Sequence, residues 1–162
     1  VFVIENNRYA LSFNTEKRLQ PKNLAEHAEK YGIPGTTIDG SEVETVYATI
    51  SDALERARSG GGPTVVEHKV HRLEGHYVGD KEQYREDDIE DIRAEWDPIP
   101  KYREKLIKRD MLTETEYEEM VTAVDEEVER AVEYAQSSEF PEPEAAYEGL
   151  YKTPLYGQDG GE

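Results

Sequence analysis

The stretch Val1-Phe2-Val3-Ile4-Glu5-Asn6-Asn7-Arg8-Tyr9-Ala10 decides the fold. Four apolar residues run without alternation toward two adjacent amides. Such a run reads as a strand buried on both faces of a parallel sheet. The paired amides stand at its carboxyl end, where open α/β sheets place their ligands. This pattern reads as half of a cofactor site. With no initiator Met and no cap before the run, we expect a fragment that begins in mid-fold.

Working outward, residues 6–21 are expected to be irregular. Asn23 is a candidate cap for a short helix through Tyr31, stopped by Gly32-Ile33-Pro34-Gly35. Thr36-Thr37-Ile38 reads as a strand turned by Asp39-Gly40. Ser41 and Glu44 have the spacing of a capping box. Behind them Val43, Val46, Tyr47, Ile50, Leu54 and Ala57 fall on one helical face. Gly60-Gly61-Gly62 ends that helix, and Thr64-Val65-Val66-Glu67-His68-Lys69-Val70 is a β-branched strand. Strands and helices alternating at these spacings predict an α/β fold with crossover connections and a parallel sheet flanked by helices.

Residues 71–97 lose all period and read as a long functional loop, with a short helix near 87–95. Helices then resume after Pro100, over 101–109 and 113–135, the second opened by Thr113 and Glu116 as another capping box, with Tyr117, Met120, Val121, Val124, Val128, Val132 and Ala135 expected as its inner stripe. We therefore divide the chain into a sheet-bearing part, 1–100, and a helical carboxyl-terminal extension, 101–162. The 145–156 segment is expected to lie along a neighbouring surface, and 158–162 is too polar to hold structure.

The 162 residues carry a formal charge of -18. Like charges repel, which argues against nucleic acid and anionic membrane as partners. A basic protein partner or a salty cytoplasm suits such a surface. No cysteine is present, so thiol chemistry is excluded. The apolar opening is too short for a signal peptide or a membrane span, and a cytoplasmic protein is the default.

Three constellations can carry chemistry. Asn7 can offer an amide oxygen to a hard cation such as Mg²⁺, and Tyr9 its carbonyl. On spacing alone, turn-forming amides are the stronger reading. His76 follows a strand end, flanked by Gly75 and Gly79. It suits phosphate binding or proton transfer, and equally a loop histidine bonded to Glu74 or Asp80. Tyr84-Arg85 with Arg72 offers a donor fork, and for Arg85 an ion pair to Asp80 or Asp87 that holds the loop is favoured. No phosphate loop or nucleophile elbow is present.

At Glu5-Asn6-Asn7-Arg8-Tyr9-Ala10 the chain resembles the α subunit of thiamine-diphosphate-dependent 2-oxo acid dehydrogenase E1 components. The resemblance continues through Tyr31-Gly32-Ile33-Pro34-Gly35, Gly62-Pro63-Thr64, Arg72, Gly75-His76, Gly79-Asp80, Tyr84-Arg85, Asp97-Pro98-Ile99 and Pro141-Glu142-Pro143. It covers the whole chain as the carboxyl-terminal half of such a subunit. The family motif begins with Gly-Asp-Gly and ends in Asn-Asn, and only the end stands here.

The resemblance implies a thiamine-diphosphate-binding fold and a set of roles. Asn7 and the Tyr9 carbonyl would hold Mg²⁺, while His76 would lie beside the diphosphate and act catalytically. The loop 71–97 would be cofactor-proximal. A β subunit in an α2β2 heterotetramer would complete the site, leaving the isolated fragment inactive. The implied reaction decarboxylates a 2-oxo acid, pyruvate first, and passes the acyl group to a lipoyl-bearing E2 component. Acetoin is the close alternative. Tyr77 follows His76 where mammalian pyruvate enzymes carry a regulatory serine, so that control is not expected. A non-catalytic structural or interaction fragment is the reading of another class.

Overall fold

The computed structural model describes residues 1–17, 20, 22–85, 88–147 and 149. The chain falls into two compact units, 1–113 and 114–162. In the first, strands β1 (Phe2–Asn6), β5 (Val65–Lys69) and β4 (Gly35–Asp39) form a parallel sheet in the order β1-β5-β4. The fold is α/β, as the β-branched runs predict. Strands β4 and β5 are joined through helix α1 (Val43–Arg58), a crossover unit between adjacent parallel strands. In register, Asn6 and Asp39 both align with Lys69, so all three strands end at one edge.

The core sits on the central strand. Val66 and Glu67 are both fully buried, pointing to opposite faces. A 3₁₀ helix, Leu24–Tyr31, packs against β4 and β5 and buries Ala25 and Ala28. The approach is close. A Cβ on Gly35 would lie 2.2 Å from the Ala25 carbonyl oxygen, so only glycine fits there.

Several expectations change. The opening strand is parallel but not buried, because β1 is the edge of the sheet and Phe2 and Val3 are 60% and 50% exposed. Residues 6–21 are not wholly irregular. Strands β2 (Tyr9–Ala10) and β3 (Phe13–Asn14) form a small antiparallel hairpin. Asn23 makes no cap bond and donates instead to Glu26 at 3.0 Å. The Ser41–Glu44 capping box does not form. Residue Glu42 occupies the cap position of α1, the Ser41 hydroxyl donates to Asp39 at 2.7 Å, and Glu44 pairs with Lys105 at 2.7 Å and with Arg109. Ion partners on a later helix outcompete the local cap.

Helix α2 (Ile89–Trp96) is capped by Asp88, whose side chain accepts from the Glu90 N–H at 2.8 Å. Trp96 stacks on His71 with ring centroids 4.5 Å apart, tying α2 to the end of β5. Helix α3 (Pro98–Lys108) starts three residues earlier than Pro100 suggested. Asp97 caps it, and prolines are tolerated in a first turn where the N–H is unpaired anyway. Lys101 reaches Glu42 at 3.0 Å and the Ser41 hydroxyl at 3.1 Å, which joins α3 to the start of α1.

The second unit is dominated by helix α4 (Glu114–Ser137), followed by a 3₁₀ turn, Pro143–Tyr147. The expected stripe of Met120, Val121, Val124, Val128 and Val132 is present on α4 and exposed. The expectations for 150–162 lie outside the described residues. Among the described residues no helix is long and apolar enough to cross a membrane.

Candidate functional site

At the carboxyl edge of the sheet, Asn7 and Tyr9 stand on one turn. After Asn6 the chain reverses through Asn7 and Arg8 into the hairpin. Arg8 adopts φ 68°, the left-handed region that non-glycine residues rarely occupy. Three hydrogen bonds hold it there. The Arg8 N–H donates to Asn6 Oδ1 at 3.1 Å, the Tyr9 N–H to Asn7 Oδ1 at 3.0 Å, and the Thr15 N–H to the Arg8 carbonyl at 2.8 Å. Asn7 forms the turn through its Oδ1 and keeps one lone pair of that oxygen for a second partner. An amide oxygen has two lone pairs, and the Tyr9 N–H occupies one.

Beneath this turn lies a residue that sequence reasoning missed. Glu67 is 0% exposed in the middle of β5. Its Oε1 accepts from Asn6 Nδ2 at 2.6 Å and pairs with Lys69 at 2.9 Å. Its Oε2 accepts from the Ala25 N–H and the Thr37 hydroxyl, each at 3.0 Å. Burial would push its carboxyl up. The donors Asn6, Ala25, Lys69 and Thr37 more than offset this, holding it below the ordinary carboxylate value. The available signal was a Glu in line with Val65 and Val66 on a β-branched strand, a residue type almost never fully buried unless paired.

The loop after β5 folds back on the hairpin. Tyr84 meets Tyr9 edge-on at 5.5 Å between ring centroids, and its hydroxyl donates to Asp80 Oδ2 at 2.7 Å. The same Asp80 oxygen accepts the His76 N–H at 3.0 Å. Gly75 permits this closure, since a Cβ there would sit 2.9 Å from that of Asp80. The His76 ring is exposed, with its backbone alone bonded to Asp80. Arg72 reaches the Leu11 carbonyl and the Tyr84 hydroxyl, both at 3.4 Å. Arg85 forms an ion pair with Glu82 rather than Asp80 and also donates to the Arg72 carbonyl. Asp87, the other expected partner, lies outside the described residues.

The structure thus links Tyr9 to His76 through Tyr84 and Asp80. Among the described residues no hydrogen bond joins Asn7 to His76. Neutral amide and carbonyl oxygens suit a hard divalent cation, and the turn residues fit that role. Among the described residues no group of three or more His, Cys, Asp or Glu could hold a metal ion. A phosphate-bearing cofactor and a carboxylate from elsewhere would complete such a set.

The turn stands at the carboxyl edge of a parallel sheet, where open α/β proteins place their ligands. The chain belongs to the dehydrogenase E1 component family, which matches residues 1–144. It is 32% identical over 154 residues to subunit alpha-3 of a chloroplastic pyruvate dehydrogenase E1 component from Oryza sativa, covering 95% of this chain and 36% of that protein. It is likewise 32% identical over 147 residues to the pyruvate dehydrogenase E1 component subunit alpha of Rhizobium meliloti, with 90% and 42% covered. The alpha subunit of acetoin:2,6-dichlorophenolindophenol oxidoreductase from Cupriavidus necator is similar at 32% over 152 residues, with 93% and 46% covered. The chain therefore spans less than half the length of these relatives.

Proposed function

We propose that this chain is part of an E1 α subunit which, with a β subunit, decarboxylates a 2-oxo acid on thiamine diphosphate. Pyruvate is the first substrate, and the acyl group passes to a lipoyl-bearing E2 component. The carrying observation is the Asn6–Tyr9 turn, held at the ligand-binding edge of the sheet by a residue in a strained backbone conformation. Such strain concentrates at functional sites. The family match supports the reading.

Within it, the Asn7 side-chain oxygen and the Tyr9 carbonyl hold Mg²⁺. The exposed His76 imidazole faces the diphosphate or moves a proton at the reacting end. Thiamine diphosphate, when bound, supplies a nucleophilic carbon and an electron sink for loss of carbon dioxide. Residues 1–100 form the cofactor half, with loop 71–97 beside the cofactor, and 101–162 the helical extension. The working assembly is a cytoplasmic α2β2 heterotetramer. Acetoin is the second substrate reading, favoured by the equal 32% identity to the acetoin relative.

The test uses the assembled enzyme. Asn7→Ala should weaken Mg²⁺ and thiamine diphosphate binding, and unchanged affinity would remove Asn7 from the site. His76→Ala should lower turnover at least tenfold, about 1.4 kcal/mol of transition-state stabilisation, without lowering the unfolding temperature. Wild-type turnover at saturating cofactor would exclude His76 from the chemistry.

A further inference from the structure

We propose that Glu67 is a positioning residue for the cation turn: through the Asn6 amide it fixes the backbone conformation in which Asn7 presents its oxygen. The inference rests on the reading that Asn7 and Tyr9 face a divalent cation.

A carboxylate at the centre of a parallel sheet is costly, and a well-packed apolar residue usually serves stability as well or better. Glu67 is buried nonetheless, with two donors on each oxygen. Three of the four come from the 3₁₀ helix, β4 and β5 itself. The fourth, Asn6, connects this fixed carboxylate to the turn.

The Asn6 amide can be oriented in one way. Its Nδ2 must face the Glu67 carboxylate, since a flip would set oxygen against oxygen. Its Oδ1 then points at the Arg8 N–H, 3.1 Å away. That bond is one of three that hold Arg8 at φ 68°. A non-glycine residue persists in this region only where its surroundings over-determine it. Arg8 lies between Asn7 and Tyr9, so its conformation sets the direction of both candidate ligands. Glu67 touches neither of them in the structure. Its influence runs through Asn6.

The experiment titrates Mg²⁺ calorimetrically into the assembled enzyme in the presence of thiamine diphosphate. Asn6→Ala and Glu67→Gln should each weaken the Mg²⁺ dissociation constant about tenfold, the usual effect of losing a residue that orients a ligand. Saturating Mg²⁺ should return kcat to within about twofold of wild type. A purely structural role would lower the unfolding temperature and leave the affinity of the folded enzyme unchanged.

If Glu67→Gln fails to assemble, Asn6→Ala decides, because it leaves Glu67 its other three donors. Wild-type Mg²⁺ affinity in Asn6→Ala, with weakened affinity in Asn7→Ala, overturns the positioning role and leaves the cation reading standing. Unchanged affinity in Asn7→Ala removes both.

Discussion

The Tyr84 hydroxyl donates to Asp80 Oδ2 at 2.7 Å, and that same oxygen accepts the His76 N–H at 3.0 Å. One tyrosine thereby closes the loop that carries His76, while its ring leans on Tyr9 in the hairpin. Asp80 also accepts the Glu82 N–H at 2.9 Å. The Glu82 and His76 N–H groups and the Tyr84 hydroxyl hold the Asp80 carboxyl below its ordinary value, and Asp80 in turn pushes the Tyr84 hydroxyl up.

Tyr84→Phe keeps the ring contact and removes the bond to Asp80. Backbone amides across 75–85 should exchange with deuterated water about threefold faster, with the sheet amides unchanged, because local opening is governed by local contacts. The sign of the pH effect follows from the lowered Asp80 value. Loop closure is present above the ordinary carboxylate range and is lost as pH falls through the folded-state value of Asp80. Protection that persists well below that point would separate loop order from Asp80.

Arg85 has a side chain only 5% exposed, reaching both Glu82 and the Arg72 carbonyl. Arg85→Ala removes the fork that joins the two ends of this loop. Limited proteolysis between Gly75 and Asp97 should quicken several-fold, tracking the population of the open loop. An unchanged cleavage rate would deny Arg85 an ordering role.

Glu67→Gln should destabilise the first unit by about 2–5 kcal/mol, because an amide nitrogen must then face donors that the carboxylate accepted. Equilibrium unfolding in denaturant measures this. The native value of Glu67 is lowered, so its contribution is present above the unfolded-state value and is lost as pH falls through the folded one. The difference between wild type and Glu67→Gln should therefore shrink in acid. A constant gap from neutral pH to below the carboxylate range would contradict a charged Glu67.

Gly35→Ala tests the contact that brings the Ala25 N–H to Glu67. The added Cβ would meet backbone at 2.2 Å, so the 3₁₀ helix must lift from the sheet. A cost of about 1–3 kcal/mol is expected for such overpacking, measured as a lower unfolding midpoint. A neutral substitution would show that the helix moves freely on β4.

The sequence by itself determined the elements whose signals are local. The unbroken apolar run Val1–Ile4, the β-branched run after Pro63 and the one-sided periodicity of α1 each name a strand or helix without reference to distant residues. The glycine-flanked His76 and the paired amides likewise stood out, since turn chemistry is written in adjacent residues. The order of family motifs along the chain extended this reading to the cofactor.

Only the tertiary structure decided which partner each polar group took. Asn6 and Glu67 lie 61 positions apart and meet because β1 and β5 are neighbours in register. Ser41 and Glu44 matched a local cap, yet Asp39 took the hydroxyl and Lys105 and Arg109 took the carboxylate. Val1–Ile4 carried the signature of a buried strand, but the sheet order placed β1 at an edge. Periodicity reports what a segment would bury. Burial and hydrogen-bond choice are fixed by which segments come to lie beside it, and that is a property of the whole fold.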